Sequence, residues 1–314
     1  MTALRAHHRG GPEQLVVEQV PVPVPAAGEV LVAVHAAAIT FDELTWDETW
    51  TRDGVSRTPS VPSHEVSGVV SEVAADVTDF APGDQVYGLI GFDRDGAAAD
   101  FVCVPATDLA ARPSTVSHVE AAALPLAGLT ALQALIDHAA VQPAEAVLVH
   151  GGAGGVGALT VQLAAMLGAS VTATVRSDTA DLVREFGAAR VIDVRTESFD
   201  EGGVSYDVVI DTVGGDTLDR SFGVLRRGGR LITLPAPPPA GKGDEYGVRA
   251  TFFIVTPNRD QLTRLAALVD DPGAKGRLRV EIAATFPLAR GREAFESGRR
   301  PGRRAGKTVI VVRD

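Results

Sequence analysis

Three glycines with the spacing G-x-G-x-x-G, Gly152, Gly154 and Gly157, point more directly to chemistry than any other residues of this sequence. An apolar run at 146–150 leads into them, and a helix-like segment at 158–167 follows. A glycine turn between a buried strand and a helix lets the backbone approach a pyrophosphate, whose charge the helix amides and dipole favour. The pattern predicts a dinucleotide site formed by Gly152, Gly154, Gly155, Val156 and Gly157. The alternative is a turn that is merely tight, because the chain has 33 glycines and the spacing recurs by chance.

The end of the next apolar run, 170–175, indicates which nicotinamide cofactor would bind. NAD enzymes place a carboxylate there to bind the ribose 2′-hydroxyl, whereas this chain has Arg176 and Ser177. A guanidinium can bind a 2′-phosphate through two charge-assisted hydrogen bonds, and Ser177 could donate a further one. Asp178 is predicted to cap the following helix. These residues favour NADP(H) over NAD, and the alternative is that Arg176 is an ordinary exposed loop arginine.

The segments around these residues alternate between short apolar runs and amphipathic stretches. The predicted strands are 146–150, 170–175, 191–193, 208–211, 230–234 and 250–255, and the predicted helices between them are 158–167, 179–186, 217–225 and 259–269. This alternation is typical of a doubly wound parallel sheet of the Rossmann type, which makes the fold class α/β. Val213 and Gly214 follow the strand 208–211 and are predicted to approach the cofactor, because ligands bind at the carboxyl ends of such strands. The alternative for them is a simple turn.

The sequence before this region predicts a second, β-rich domain. Short apolar runs separated by proline, glycine and aspartate indicate strands at 29–35, 68–73, 85–89 and 99–104. A helical stretch at 119–140, interrupted or kinked at Pro125, opens the nucleotide-binding part, and the segment 235–247 is predicted to be a mobile loop. The last strand, at 307–312, is expected to return to the first domain. The predicted domains are therefore 1–118, completed by 275–314, and 119–274.

Composition limits the classes of function. The chain has 314 residues, a length that suits two domains. Hydrophobic residues make up 45% of it, which excludes a disordered chain. A net charge of −11 disfavours nucleic acid as a partner. No apolar run approaches the roughly 20 residues that span a bilayer, and the first residues lack the apolar segment of a secretory signal. A single cysteine, Cys103, permits no internal disulfide. We expect a cytoplasmic protein without a membrane partner.

Taken in order, several segments resemble the medium-chain dehydrogenase/reductase superfamily, in its zinc-independent quinone oxidoreductase and enoyl reductase branch. Besides the glycine turn, the matching segments are SHEVSGVV at 63–70, FAPGDQVYG at 80–88, AAALPLAGLTA at 121–131, FGAARVID at 186–193, DTVGG at 211–215 and GGRLI at 228–232. The resemblance implies a GroES-like domain joined to a Rossmann domain, hydride transfer from NADPH and a homodimer. Thr130 matches a position that lies close to the cofactor in this family. Many relatives carry further phosphate-binding residues after the arginine; this chain lacks them, and Arg195 is a candidate replacement.

The resemblance also indicates where the reaction would take place. The segment 38–50 matches a stretch where relatives carry an Asn, an Asp and often a catalytic Tyr. This chain offers Thr40, Asp42 and Thr45 there as candidate catalytic residues, since an enolate formed by hydride addition needs a hydrogen-bond donor or a water. The proton donor stays unassigned, and the alternative to a side chain is protonation from solvent. The alternative for all three is a role at the start of a helix. The predicted substrate pocket is lined by aromatic residues, for which the alternative is ordinary core: Trp46, Trp50, Tyr87 and Tyr246.

A metal site is not expected. Zinc alcohol dehydrogenases carry a histidine at the position of His64, but a catalytic zinc needs about three protein ligands. Where those relatives have cysteines, this chain has Ile39 and Ala127. A histidine that is hydrogen-bonded inside the protein is the favoured interpretation.

The predicted function is zinc-independent reduction of a quinone, or of the activated double bond of an α,β-unsaturated carbonyl compound, by NADPH. The alternatives are an acyl-thioester enoyl reductase and a catalytically silent NADPH-binding sensor or scaffold. A homodimer is expected to form through the apolar strand 250–255, because exposed sheet edges tend to be paired.

Overall fold

The structure is a computed structural model that describes residues 1–176, 178–201, 203, 205–271, 277–299 and 304–313. The chain forms two compact units, Met1–Leu129 with Thr256–Asp314, and Thr130–Val255. Numbered along the chain, the strands are β1 (Thr2–Ala6), β2 (Leu15–Gln19), β3 (Glu29–Ile39), β4 (Thr51–Arg52), β5 (Val55–Ser56), β6 (Glu65–Val73), β7 (Gln85–Leu89), β8 (Phe101–Pro105), β9 (Leu109–Ala111), β10 (Ala146–His150), β11 (Ser170–Val175), β12 (Arg190–Asp193), β13 (Tyr206–Asp211), β14 (Leu225–Thr233), β15 (Arg249–Phe252), β16 (Ile282–Pro287) and β17 (Lys307–Val311). The α-helices are α1 (His118–Ala122), α2 (Pro125–Leu132), α3 (Gly155–Met166), α4 (Ala180–Glu185), α5 (Asp216–Ser221), α6 (Lys242–Tyr246), α7 (Arg259–Asp270) and α8 (Gly291–Glu296).

The first unit is built on a largely antiparallel sheet. Its strands lie in the order β16-β17-β3-β6-β7-β9, and β8 also pairs with β3. Alternate side chains of the central strands, among them Val32, Val66 and Val86, point into a buried apolar core. β17 runs antiparallel to β3, with Val309 opposite Ala38. The last strand thus pairs with a strand of the first unit.

The second unit carries a parallel sheet. Within the described residues its strands lie in the order β12-β11-β10-β13-β14-β15, and every neighbouring pair is parallel. The central strands β10 and β13 are almost entirely buried, as expected of strands covered on both faces. The chain passes from β10 outwards in one direction to β12 and then in the other to β15, which is the doubly wound arrangement. The predicted α/β fold class is confirmed.

Some element boundaries differ from the predictions for local reasons. α3 begins at Gly155, three residues before its predicted start, because the glycines of the turn themselves enter the first helical turn. The stretch 119–140 divides into α1, α2 and a π-helical turn, since a proline is well placed at the first position of a helix but not inside one. The segment 235–247 contains the short helix α6 instead of being wholly a loop. The last parallel strand ends at Phe252 rather than 255.

The predicted domains, 1–118 with 275–314 and 119–274, stay a prediction, and the limit between 274 and 275 lies outside the described residues.

In the described part of the chain, no helix is both long enough and apolar enough to cross a membrane.

Candidate cofactor and active site

The glycine turn of the second unit is a conformation that side chains would obstruct. Gly151 has a φ of +73°, where glycine is strongly favoured. A Cβ on Gly157 would lie 2.1 Å from the carbonyl oxygen of Gly151, and one on Gly152 would lie 2.8 Å from the Cβ of Ala173. Gly154 precedes α3 without any side-chain cap. The first amides of α3 have no partner within the helix and point to the partly exposed turn, which fits an anionic diphosphate.

Arg176 directly follows β11 and is exposed. Its guanidinium forms no hydrogen bond or ion pair with the residues that the structure describes, so it is available to an anion. Ser177, predicted to assist it, lies outside the described residues. Arg195 is differently placed, because its guanidinium binds Asp193 and also Asp178 at 3.0 Å. This arrangement does not fit the predicted phosphate contact of Arg195.

The same contact corrects the prediction for Asp178. The residue that precedes α4 is Thr179, and Asp178 forms an ion pair with Arg195 instead of capping the helix. In a pair with a guanidinium both partners are charged, whereas a helix cap would offer the carboxylate only neutral backbone amides.

The turn after β13 is organised by a buried carboxylate that sequence reasoning missed. Asp211 is fully buried and accepts hydrogen bonds from the amides of Val213 at 2.9 Å and Gly214 at 3.0 Å. Burial raises the pKa of Asp211, while the two amides act in the opposite direction. Val213 is 49% exposed, so the turn presents its side chain outwards. Thr130, the other predicted cofactor contact, lies on α2 and is only 6% exposed.

In the first unit, the three candidate catalytic residues occupy different environments. Asp42 and Thr45 are exposed, and the Thr45 hydroxyl donates to the backbone carbonyl of Asp42 at 2.6 Å. Asp42 precedes a short 3₁₀ helix, Glu43–Thr45, but its side chain does not cap it. Thr40 is half-buried, and its Oγ1 lies 3.4 Å from the Nζ of Lys307. None of the three side chains therefore caps the start of this helix, which is the alternative role for them.

Beside Thr40 lies a buried charged cluster, formed by Glu43, Glu65 and Lys307. Glu65 is 1% exposed, forms an ion pair with Lys307 and accepts the amide of Leu126 at 3.0 Å. Burial raises the pKa of Glu65, and Lys307 acts in the opposite direction. Glu43 is also 1% exposed and accepts the amide of Ser63 at 3.2 Å. Burial raises its pKa to about 8, so Glu43 is mostly protonated at neutral pH.

Sequence reasoning missed this cluster, although one signal was present. In the strand 307–312, a lysine alternates with Val309 and Val311, which places it on their face of the strand. A lysine on the same face as buried valines needs a charged partner. No pattern in the sequence marks Glu43 as buried. It stands next to Asp42, another acidic residue, which the structure places on the surface.

Two of the predicted pocket residues are core residues. Trp50 is 4% exposed, and its indole N–H donates to the carbonyl of Leu44 at 3.0 Å. Tyr87 is fully buried, and its hydroxyl donates to the carbonyl of Leu262 at 2.5 Å. Burial raises the pKa of Tyr87, so its proton is held firmly. These contacts do not fit a role in binding substrate, because both polar atoms are already engaged inside the unit.

Trp46 and Tyr246, the other two predicted pocket residues, are more exposed to solvent. Trp46 is half-buried and meets the ring of Phe92 edge-on at 4.9 Å. Tyr246 lies in the second unit at the end of α6 and is 38% exposed. Their predicted pocket roles stay predictions.

The surroundings of His64 do not fit a zinc site. Its ring is 2% exposed and meets Phe92 edge-on at 5.3 Å. Burial lowers the pKa of His64 to about 4. Neither ring nitrogen has a hydrogen-bond partner of normal geometry among the described residues, so the hydrogen bond predicted for this histidine is limited to a weak interaction with the backbone of Gly91. Those residues contain no group of three His, Cys, Asp or Glu side chains arranged to hold a metal ion, and Ile39 and Ala127 offer no donor atoms.

The protonated Glu43 predicts how stability depends on pH. Its pKa is about 8 in the folded chain and 4.5 ordinarily, so between these values the folded state holds a proton that the unfolded state releases. The contribution of Glu43 to the free energy of unfolding should therefore fall as pH rises through this window, on the order of a few kcal/mol in total. Buried histidines with a lowered pKa, such as His64, contribute in the opposite direction below about pH 6.5. Glu43→Gln, which cannot titrate, should therefore have a free energy of unfolding that rises more steeply with pH, or falls less, than that of the wild type in urea unfolding measured at several pH values. The exposed Glu48→Gln should keep the wild-type slope; equal slopes for wild type and Glu43→Gln would contradict the prediction.

Comparison with known proteins gives consistent matches along the chain. A family described as "Alcohol dehydrogenase GroES-like domain" matches residues 26–114, and one described as "Zinc-binding dehydrogenase" matches residues 186–310. The chain is 33% identical to the "NADPH-dependent alkenal/one oxidoreductase, chloroplastic" of Arabidopsis thaliana, covering 96% of this chain and 77% of that protein. It is 32% identical to a "2-haloacrylate reductase" of Burkholderia sp, covering 98% and 97%.

A solved structure agrees with these matches. The quinone oxidoreductase from Coxiella burnetii has a TM-score of 0.89 and 31% identity, covering 100% of this chain and 99% of that one. The resemblance found in the sequence is thereby confirmed, together with the GroES-like and Rossmann-like parts that it implied. The chain belongs to the medium-chain dehydrogenase/reductase superfamily, in its quinone oxidoreductase-like branch, and it is an oxidoreductase.

Proposed function

We propose that this oxidoreductase uses NADPH to reduce a quinone or the activated double bond of an α,β-unsaturated carbonyl compound, without a metal ion. The observation that carries the proposal is the glycine turn before α3, followed at the end of β11 by an exposed Arg176 that pairs with none of the residues described. The names of the relatives support it, since one is an NADPH-dependent alkenal/one oxidoreductase and another a 2-haloacrylate reductase.

The residues that would hold the cofactor all belong to the second unit. The amides of Gly155, Val156 and Gly157 would bind the diphosphate, with Gly152 and Gly154 keeping its approach open. Arg176 and Ser177 would bind the 2′-phosphate. Thr130, Val213 and Gly214 complete the proposed contacts.

The residues of the first unit would handle the charge that the reaction creates. Bound NADPH supplies a hydride, whose addition to a conjugated carbonyl compound leaves an enolate. A neutral donor placed near that oxygen stabilises it, and the half-buried Thr40 hydroxyl is better suited to this than Thr45, whose hydroxyl is bound to a backbone carbonyl. Asp42 carries a negative charge on the surface and would not stabilise an enolate.

The proposal is tested by mixing purified protein with NADPH and a panel of short enones, 2-haloacrylates and p-quinones, and following NADPH absorbance. Consumption that depends on both protein and acceptor supports it. Enhanced NADPH fluorescence without consumption across the panel would instead identify a silent NADPH-binding protein.

Arg176 should determine the choice of cofactor. Arg176→Ala is expected to weaken NADPH binding about 10- to 100-fold and to leave NADH binding nearly unchanged, because only NADPH carries the 2′-phosphate. Fluorescence titration with both cofactors measures the difference. Arg195→Ala is the matched control, and it should have a smaller effect because Asp193 and Asp178 already bind that guanidinium. Equal weakening of both cofactors by Arg176→Ala would exclude Arg176 as the phosphate contact.

We also propose a homodimer formed through the edge of the parallel sheet at β15. This strand ends the sheet on one side, Phe253 next to it stacks on His138 with a centroid distance of 4.2 Å, and Ile254 is 54% exposed. An apolar sheet edge of this kind favours pairing with a second copy. Sedimentation velocity should give the mass of a dimer, and Ile254→Lys should shift the population towards monomer. A wild type that is monomeric at all concentrations would disprove the dimer.

A further inference from the structure

Lys307, Glu65 and Thr40 form a row of polar groups that leads from the interior of the first unit towards its surface. Glu65 is 1% exposed and Lys307 10% exposed, and the two form an ion pair. The Nζ of Lys307 lies 3.4 Å from the Oγ1 of Thr40, which is half-buried. Burial therefore decreases along the row, from the carboxylate of Glu65 through the ammonium of Lys307 to the hydroxyl of Thr40.

The chemistry of these groups fixes the direction of the row. An ammonium group can only donate hydrogen bonds, so the oxygen of Thr40 is the acceptor of the contact with Lys307. The hydroxyl proton of Thr40 must then point away from Lys307, and among the described residues no acceptor is bonded to it. A hydroxyl whose oxygen accepts from a cation is polarised and becomes a stronger donor.

We propose that Lys307 makes the Thr40 hydroxyl the anion-binding donor and proton source of the active site; this rests on the proposed function. A substrate carbonyl oxygen that becomes an enolate would accept the outward O–H of Thr40. When the enolate is protonated, the O–H bond of Thr40 breaks and an O–H bond forms on the enolate oxygen, which gives the enol. An N–H bond of Lys307 breaks to restore the Thr40 hydroxyl, and the neutral amine takes a proton from water. The enol then loses its hydroxyl proton to water and gains a proton from water at the α-carbon, so that one solvent proton is consumed overall. These steps change no oxidation state, because the hydride has already reduced the substrate.

Glu65 and Glu43 set the charge around Lys307. Glu65 holds the ammonium in place by the ion pair and is itself held by the amide of Leu126. Glu43 is mostly neutral at neutral pH and therefore does not add a second negative charge that would offset the effect of Lys307 on Thr40. Lys307 is in this sense a positioning residue, since it acts through the hydroxyl of Thr40.

A phenolate tests this arrangement without requiring turnover, because it places a stable oxyanion where the enolate oxygen would lie. Binding of 4-nitrophenolate is followed by its absorbance, with and without NADP⁺, and binding of neutral nitrobenzene serves as the control. Thr40→Val should weaken phenolate binding about tenfold or more, as expected for the loss of one hydrogen bond to a charged group, and should leave nitrobenzene unaffected. Thr40→Ser, which keeps the hydroxyl, should retain most of the affinity.

The role of Lys307 is tested with the paired variant Glu65→Gln/Lys307→Met, which removes both buried charges together and so avoids a buried unpaired ion. It should lose phenolate affinity to a similar extent while keeping its hydroxyl at Thr40. Phenolate affinities equal to wild type in Thr40→Val or in the paired variant, or a wild type that does not bind phenolate, would overturn the proposal. Thr40-dependent phenolate binding by a wild type that consumes no NADPH would instead refute the proposed function and leave this donor in place.

Discussion

Gly157→Ala is expected to abolish measurable NADPH binding at cofactor concentrations that saturate the wild type. The added Cβ would lie 2.1 Å from the carbonyl oxygen of Gly151, 2.8 Å from its carbonyl carbon and 3.1 Å from the Cα of Gly152. All three atoms belong to the backbone, so no side-chain rotation can relieve the contact. The turn must move away from α3, which removes the amides from the diphosphate position. Forcing a group into a packed site of this kind costs about 1–3 kcal/mol of stability.

The measurements are NADPH fluorescence titration and urea unfolding, with Gly223→Ala as the control. Gly223 lies in the same unit, and a Cβ there would meet nothing within 4 Å. This substitution should leave NADPH affinity unchanged and stability the same or higher by up to about 1 kcal/mol, since alanine reduces the freedom of the unfolded chain. If Gly157→Ala bound NADPH as tightly as Gly223→Ala, the glycine turn would not be the diphosphate site.

Lys307→Met is expected to destabilise the first unit by about 3–5 kcal/mol, the usual cost of leaving a buried charge without its partner. Glu65 would remain 1% exposed, held by the backbone amides of Leu126 and Ala127 but no longer by the ammonium group. Because methionine has nearly the volume of the lysine stem, lost packing contributes little, and the effect reports the charge. Glu65→Gln/Lys307→Met should recover most of the loss. Urea unfolding of the two single variants and the double variant measures the coupling as a double-mutant cycle.

An exposed pair provides the comparison. Arg184 and Asp181 form an ion pair in α4, with side-chain exposures of 54% and 95%. Arg184→Met should change stability by less than about 0.5 kcal/mol, since exposed pairs are weak. A Lys307→Met variant as stable as Arg184→Met would mean that the Glu65 carboxylate takes up a proton or water at little cost, and that the ion pair contributes little to stability.

The sequence allowed the parallel sheet to be predicted well because its signals are local. β10 and β11 have the predicted boundaries, since each is an apolar run with a clear end. The glycine turn could be recognised for the same reason. The start of α3 was harder, because glycine has a low helix propensity and only tertiary contacts bring Gly155 into the first turn.

The candidate active site depended on contacts that no local pattern encodes. Lys307 and Thr40 are 267 positions apart, and only the pairing of β17 with β3 brings them together. The same limit applies to Trp50 and Tyr87, whose residue types suit a pocket wall as well as the core in which the structure places them. Residue type predicts which chemistry is available, whereas the direction in which a side chain points is decided by its distant neighbours.

The place of β17 in its sheet has a consequence for synthesis on the ribosome. This strand lies between β16 and β3, so the sheet of the first unit lacks an inner member until residues 307–311 have emerged. The second unit is continuous from Thr130 to Val255 and can complete its own sheet earlier. Nascent chains would thus pass through a stage in which the second unit is folded while the sheet of the first unit still has unpaired strand edges. A chaperone would be needed most during that interval, and Lys307 would enter its position only when it ends.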